Sequence, residues 1–162
     1  MKILWAPWRM KYILGKGEKN CIFCVNSRPG TEEENLILFK GRLTTVLMNK
    51  YPYNNGHLLV APIRHVPELD DLKIEELIDL MEKIRASINF IRKEMNPDGF
   101  NVGLNLGKVA GAGVAAHLHF HIVPRWNGDT SFMTVLGQTR VIPESLEDTY
   151  KRLKPYFETL EE

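Results

Sequence analysis

Residues 117–125 read His117-Leu118-His119-Phe120-His121-Ile122-Val123-Pro124-Arg125. Three of the chain's five histidines therefore lie within five residues, each separated from the next by one apolar residue. Successive side chains of an extended strand point to opposite faces. This spacing predicts a strand over residues 117–124 that carries three imidazoles on one face. Its opposite face would be apolar and turned toward the core.

Alternate histidines can form a metal cage, act as general acid and base, or provide an imidazole that attacks phosphorus. A catalytic metal usually needs a further carboxylate or histidine, and the nearest acidic residue beyond the run is Asp129, which argues against a metal hydrolase. The preceding loop contains Gly107, Gly111 and Gly113, whose backbone amides can approach phosphate oxygens closely. Together with Arg125, which follows the run, these features favour a phosphate site.

Hydrophobic periodicity predicts the remaining elements. Short apolar runs rich in β-branched residues predict four further strands, at 35–39, 43–49, 57–62 and 100–106. Apolar residues that recur every three or four positions predict one long central helix, with a stripe formed by Leu77, Met81, Ile84, Ile88, Ile91 and Met95. A C-terminal helix is expected over 143–160, with a break or kink at Pro155. Hairpins with segregated helices indicate an α+β fold with a mainly antiparallel sheet.

The length of 162 residues predicts one domain spanning 1–162. We expect an N-terminal arm over 1–34, a core over 35–125 and a C-terminal extension over 126–162. The formal net charge of +1 gives no field that would gather nucleic acid or acidic membrane. No apolar run is long enough for a membrane span or a signal peptide, so a cytoplasmic location is expected. In that reducing compartment the two cysteines favour metal binding over a disulfide.

The histidine run resembles the signature of the histidine triad family, in which histidines alternate with apolar residues. The family's upstream strand resembles Asn54-Asn55-Gly56-His57-Leu58-Leu59-Val60-Ala61-Pro62, which is also followed by a helix. The resemblance covers residues 21–124 and implies a fold like that of this family. Segments 8–13 and 125–133 resemble the branch that cleaves diadenosine tetraphosphate by phosphorolysis or hydrolysis.

The resemblance implies nucleotidyl transfer through a covalent intermediate. His119 would attack the α-phosphorus of a dinucleoside polyphosphate and hold AMP until water or phosphate accepts it. Neutral imidazole is available near pH 7 because its ordinary pKa is about 6.5. We expect an acceptor such as a main-chain carbonyl to hold one nitrogen of His119 and leave the other unprotonated. His121 would donate to phosphate oxygens, and His57 would support the other histidines.

Further nucleotide-binding positions follow from the same resemblance. Asn105 would contact the phosphate chain, and Asn49 would reach the ribose hydroxyls. Each asparagine can instead cap a turn or strand end, and His57 can be a hydrogen-bonded histidine at a strand start. Where the family often has a hydroxyl residue in its phosphate loop, this chain leaves only backbone amides as donors. The expected donors are the amides of Gly111, Ala112 and Gly113.

Cys21 and Cys24 are separated by two residues, the gap that lets two thiolates bind one tetrahedral ion. Two thiolates supply half of a site. The resemblance implies that His65 and His117 complete it, as in zinc-carrying members of the family. Such a closed site would hold structural zinc, and no organic cofactor is expected. The alternatives are a redox dithiol, for which the usual βαβ setting is missing, and two buried apolar cysteines.

The function predicted from these residues is the cleavage of diadenosine polyphosphates by a nucleotide hydrolase or transferase. Diadenosine tetraphosphate would yield ATP plus AMP or ADP. One alternative is a nucleoside phosphoramidase that hydrolyses adenosine 5'-monophosphoramidate, and another is a non-catalytic nucleotide-binding regulatory module. The resemblance also implies a homodimer, formed through the central helix and an edge strand. No nucleic-acid or membrane partner is expected.

Overall fold

The computed structural model describes residues 21–27, 29–129 and 142–161. Five strands and two α-helices lie in these ranges: β1 (Ile37–Lys40), β2 (Thr44–Met48), β3 (Leu58–Pro62), α1 (Ile74–Met95), β4 (Gly99–Leu104), β5 (Phe120–Arg125) and α2 (Leu146–Phe157). Segments 8–13 and 130–133, which carry part of the family resemblance, lie outside the described residues. Among the described residues, neither α-helix is long and apolar enough to cross a membrane.

All five strands form one antiparallel sheet, in the order β1-β2-β3-β5-β4. β1 and β2 form the predicted hairpin, with Lys40 opposite Thr45. β3 pairs with β5, which places Leu59 opposite His121. The sheet and the two helices confirm the predicted α+β fold.

Both faces of the sheet are covered at β3, because alternate residues of this strand pack against different partners. Leu58 and Val60 belong to the larger apolar core, which includes residues of both helices. Leu59, between them, packs in a second core with Phe23 of the N-terminal arm. Residues directly opposite each other in an antiparallel pair share a face. His121, opposite Leu59, therefore lies on the arm side of the sheet.

α1 is the predicted central helix, but its buried face differs from the predicted stripe. The buried residues are Glu76, Leu80, Lys83, Ile84, Ser87 and Ile91. Met81, expected in the core, is 51% exposed. Ile74 and Ile78 are exposed as well, so α1 carries a second apolar face that points away from the sheet. Periodicity could not separate the two faces, because both repeat every three or four residues.

α2 covers β1 and continues through the expected break. Tyr150 donates its hydroxyl to the carbonyl of Ile37 at 3.0 Å, and Leu153 and Phe157 are buried in the larger core. The helix extends two residues beyond Pro155. The helix continues because Pro155 removes a single backbone donor within its last turn, and only two helical residues follow it. α2 therefore fastens the edge of the sheet to the helical layer.

Candidate active site and metal centre

The histidine row lies where β5 begins. Residues 117–119 precede the strand, so the strand is shorter than the predicted 117–124. The ladder between β3 and β5 ends at Val60 opposite Phe120. Pro62, the last residue of β3, has no amide hydrogen with which to extend it. Leu118 instead donates its amide to the carbonyl of Val66 at 2.7 Å, which fixes the segment outside the sheet.

The three imidazoles nevertheless form the predicted row. The ring centroid of Phe23 lies 5.3 Å from that of His117 and 4.5 Å from that of His119. The rings of His119 and His121 are 5.0 Å apart. Ile122, which alternates with the histidines, belongs to the core beneath the helices. One side of this segment therefore presents imidazoles and the other packs in the interior.

The main chain orients His119. Its Nδ1–H donates to the carbonyl oxygen of His117 at 2.8 Å, which leaves Nε2 unprotonated. Burial lowers the pKa of His119 below its ordinary value, and the hydrogen bond to the carbonyl opposes this shift in part. The ring is therefore neutral near pH 7, with a lone pair on Nε2. Imidazole is a nucleophile in this state.

Hydrogen bonds also fix the tautomers of His57 and His121. The amide of Tyr53 donates to Nδ1 of His57 at 3.0 Å, so His57 carries its proton on Nε2. That Nε2–H donates to Nδ1 of His121 at 2.9 Å, so His121 in turn carries its proton on Nε2. The outer nitrogen of His121 is thus an N–H donor, which is the group needed to bind a phosphate oxygen.

Both of these histidines are uncharged at neutral pH. Burial, followed by the charges of His121 and His119, lowers the pKa of His57 to about 3. Burial, followed by the charge of His119, lowers the pKa of His121 to about 4. The row therefore offers the Nε2–H of His121 as a donor and the unprotonated Nε2 of His119 as a potential nucleophile. His57, His119 and His121 carry no positive charge near pH 7.

The two asparagines expected to bind the nucleotide lie at different places, Asn49 beside His57 and Asn105 against the glycine loop. Asn49 accepts the amide of Tyr51 at 2.9 Å and donates its side-chain amide to Nδ1 of His57 at 3.3 Å. It therefore caps the turn after β2 and contacts the hydrogen-bonded pair of His57 and His121. Asn105 lies against the glycine loop, since a Cβ added at Gly111 would be 3.7 Å from its Nδ2.

The glycine loop uses two of the three predicted phosphate donors internally. The amides of Gly111 and Ala112 donate to loop carbonyls at 3.0 and 3.3 Å. Within the described residues, no carbonyl accepts from the amides of Gly113 or Val114. In this conformation an anion can bind the Gly113 amide and also that of Val114, which the sequence did not single out.

Arg125 has protein partners, contrary to its expected place in a phosphate site. Its Nε and Nη2 donate to the two carboxylate oxygens of Asp129 at 2.5 and 2.8 Å. Its Nη1 donates to Oδ1 of Asn101 at 2.8 Å. The guanidinium therefore stabilises the turn after β5.

The four residues of the expected metal site come together. Nδ1 of His117 lies 3.4 Å from Sγ of Cys21 and 3.2 Å from Nδ1 of His65. Sγ of Cys24 lies 3.3 Å from Nδ1 of His65 and 3.9 Å from Nδ1 of His117. Zinc–sulfur bonds of about 2.3 Å and zinc–nitrogen bonds of about 2.0 Å place tetrahedral ligands roughly 3.3–3.8 Å apart. The four side chains therefore fit one tetrahedral zinc ion.

The hydrogen bonds of His117 suit it to bind metal. Its Nε2–H donates to the carbonyl of Pro62 at 2.8 Å, so Nδ1 is unprotonated and faces the sulfur atoms. Cys21 and Cys24 are free and half-buried, unlike a disulfide or a buried apolar pair. A closed set of two cysteines and two histidines leaves no open coordination position, which is typical of structural zinc.

An ion pair at the start of α1 anchors the segment that carries His65. Arg64 donates Nε and Nη2 to the two carboxylate oxygens of Glu76 at 2.9 and 2.7 Å. The Arg64 hydrogen bonds lower the pKa of Glu76 to about 2. Glu76 also accepts the amide of Lys73, at 2.8 Å, just before the helix. The first turn of α1 therefore helps to place His65 within the candidate metal centre.

Two aromatic residues of the site were missed by sequence reasoning. Phe23 stacks on His119, and Tyr53 stacks on His121 with ring centroids 5.7 Å apart and an interplanar angle of 12°. Phe23 lies between the two cysteines, whose spacing indicates a role for the thiols alone. Tyr53 lies in a turn cluster over 51–56, which carries no signal for a binding residue.

A five-stranded antiparallel sheet that presents a row of neutral imidazoles beside a Cys2His2 group defines an α+β protein of the histidine triad class. The chain belongs to the HIT domain family, whose model matches residues 30–128. It is 44% identical over 159 residues to AP-4-A phosphorylase of Mycobacterium tuberculosis, with 93% of this chain and 81% of the relative covered.

Two further relatives bear on the site. Bis(5'-adenosyl)-triphosphatase of Dictyostelium discoideum is 34% identical over 130 residues, which cover 75% of this chain and 85% of the relative. A solved structure of a Zn-bound histidine triad family protein from Mycobacterium smegmatis matches with a TM-score of 0.67 and 26% identity. The match covers 86% of this chain and 94% of that one.

We expect the free energy of unfolding to fall as the pH is lowered from about 6.5 toward 4. In the unfolded chain His57 and His121 titrate near 6.5, whereas their folded pKa values are about 3 and about 4. The unfolded state binds more protons in this window, so acid favours unfolding. Urea denaturation of wild type and His57→Gln measures the effect, and the variant should show the shallower pH dependence.

Loss of a bound metal in acid would lower the stability of wild type and of His57→Gln alike. The difference between their pH dependences therefore reports the contribution of His57. Equal pH dependence in wild type and variant would contradict the expected neutral, buried state of this histidine.

Proposed function

We propose that this protein cleaves diadenosine polyphosphates through a covalent AMP-histidine intermediate. His119 carries the proposal: its Nδ1 proton is held by the His117 carbonyl, and its Nε2 has a lone pair. The phosphorylase and triphosphatase relatives act on such nucleotides by their names, which supports the substrate class. Splitting one displacement into two easier steps is the usual gain from a covalent nucleophile.

In the first step the Nε2 lone pair of His119 forms a bond to the α-phosphorus. The bond from that phosphorus to the bridging oxygen breaks, and ATP leaves diadenosine tetraphosphate with the electron pair. The Nε2–H of His121 donates to a phosphate oxygen as charge redistributes. The amides of Gly113 and Val114 supply further donors. In the second step water or inorganic phosphate attacks the phosphorus, frees His119 and yields AMP or ADP.

The remaining predicted residues surround this reaction. His57 keeps the proton of His121 on the outer nitrogen through the 2.9 Å hydrogen bond between their rings. Asn105, beside the glycine loop, is proposed to contact the phosphate chain, and Asn49 the ribose hydroxyls. The contact between Asn49 and His57 supports binding of the ribose next to the hydrogen-bonded pair of His57 and His121.

We also propose that Cys21, Cys24, His65 and His117 hold a structural zinc ion. The ion would tie the arm of residues 1–34 to the core of residues 35–125, within a single domain. The Zn-bound mycobacterial relative supports this assignment. Free thiols that bind metal are typical of a reducing compartment, and we place the protein in the cytoplasm.

The quaternary structure proposed is a homodimer. β4 is an edge of the sheet, and Val102 on it is 45% exposed. α1 exposes Ile74, Ile78 and Met81. Unpaired strand edges and exposed apolar faces are commonly covered by association, and a twofold dimer is the commonest form. A second copy of the chain would cover both features.

Incubation with diadenosine tetraphosphate tests the reaction. Wild type should yield ATP plus ADP in the presence of phosphate, or ATP plus AMP when water is the acceptor. His119→Ala should lose at least about 10³-fold in turnover, because the nucleophile is gone, while nucleotide affinity stays within about tenfold. Chromatography of the products and binding titration with AMP provide the measurements.

An active His119→Ala variant would rule out the covalent mechanism. Cleavage of adenosine 5'-monophosphoramidate beside intact diadenosine tetraphosphate would indicate a phosphoramidase. Binding of AMP without turnover of either compound would indicate a regulatory module.

Elemental analysis tests the metal centre and should find about one zinc ion per chain. Cys24→Ser should lose the ion and lower the melting temperature, because the arm is then no longer tied to His65 and His117. Lys151→Ala, on the exposed face of α2, is the control and should keep both zinc and stability. A metal-free wild type of undiminished stability would contradict the zinc assignment.

Sedimentation analysis tests the dimer. Wild type should sediment at twice the chain mass of 18.6 kDa. Ile78→Glu should shift it toward one chain, because a carboxylate would be desolvated in the interface. Lys151→Glu, away from α1, serves as the matched control. A monomeric wild type, or an Ile78→Glu protein that remains dimeric, would contradict this arrangement.

A further inference from the structure

Phe23 lies between the candidate metal centre and the proposed nucleophile. It is completely buried, and its ring stacks on His119 with a centroid distance of 4.5 Å and an interplanar angle of 26°. The turn around it is held by backbone hydrogen bonds, from the Cys24 amide to the Cys21 carbonyl at 3.1 Å and from the Val25 amide to the Phe23 carbonyl at 2.9 Å. The turn with both thiols therefore sets the position of the phenyl ring.

His119 is thereby restrained in two directions. The hydrogen bond to the His117 carbonyl acts in the plane of the imidazole, and the phenyl ring of Phe23 covers one of its faces. His117 is itself in contact with Phe23, at 5.3 Å between ring centroids. A ring held by both restraints presents Nε2 in one direction, and in-line attack on phosphorus requires such alignment.

The stack also bears on the charge that develops during attack. When Nε2 bonds to phosphorus while Nδ1 keeps its proton, the imidazole ring becomes a cation. Within the described residues, the hydrogen bond recorded for His119 is to a carbonyl and not to a carboxylate. The face of a phenyl ring attracts a cation, and this stabilisation corresponds to a rate factor of roughly 2 at an exposed site to roughly 30 at a desolvated one. It grows only as the charge forms, so it favours the transition state.

We propose that Phe23 is a positioning residue for His119, which aligns the imidazole for attack and stabilises its cationic form by stacking. This inference rests on the covalent function proposed above. It assigns to the residue between the two cysteines a role in the reaction, in addition to its place in the second apolar core.

Substitution of the ring tests the role. Phe23→Leu keeps an apolar side chain but removes the aromatic face, and Phe23→Met is a second non-aromatic variant. Each should lower kcat for diadenosine tetraphosphate about tenfold and change KM less than about threefold, because the lost interaction belongs to the transition state. Phe23→Tyr keeps the ring and should retain kcat within about threefold. Phe39→Leu, a buried phenylalanine of β1, is the matched control and should leave kcat unchanged.

Nuclear magnetic resonance of ¹⁵N-labelled histidine supplies a readout independent of turnover. Wild type should show His119 as a single Nδ1–H tautomer, whereas Phe23→Leu should broaden its ring signals because the imidazole reorients. A wild type that does not cleave the substrate defeats the proposed function, yet the spectra still test the effect of Phe23 on His119.

Three results would overturn the positioning role. They are an unchanged kcat in folded Phe23→Leu and Phe23→Met, an equal loss in Phe39→Leu, and failure of every Phe23 variant to fold beside a folded control. The last result would make Phe23 a structural residue only.

Discussion

The hydrogen bond from His119 to the carbonyl of His117 sets the chemical state of the central imidazole of the row. It selects the tautomer and leaves Nε2 as the reactive nitrogen. It forms because residues 117–119 leave the sheet just before β5, where Pro62 cannot extend the ladder and Leu118 bonds to Val66. A local interruption of strand pairing therefore orients the proposed nucleophile.

The imidazoles proposed to meet the anionic substrate carry no positive charge near pH 7. His57 and His121 are neutral because burial opposes their charged forms, and Arg125 is paired with Asp129. The available donors are an imidazole N–H and loop amides. Neutral, preorganised donors can stabilise charge as it redistributes between phosphate oxygens, with little reorganisation during the reaction.

Much of this site could be predicted from local patterns. The spacing of the three histidines places their side chains on one side whether or not every residue belongs to the strand. The two-residue gap between Cys21 and Cys24 restricts both sulfur atoms to one neighbourhood. The stripe of α1 was partly wrong, because Met81 and Ile84 satisfy the same helical spacing but lie on different faces. Which apolar face meets the sheet depends on long-range packing.

Local chain geometry accounts for the alternation of imidazoles with core residues and for the proximity of the two thiols, since strand and turn geometry act over a few residues. The protonated nitrogens of His117 and His121 follow instead from long-range packing, because the hydrogen-bond partners that define their tautomers come from distant segments. Long-range packing also places Phe23 against His119, 96 positions later in the chain. Residues so far apart become neighbours only when the arm packs on the sheet, which buries the second apolar core.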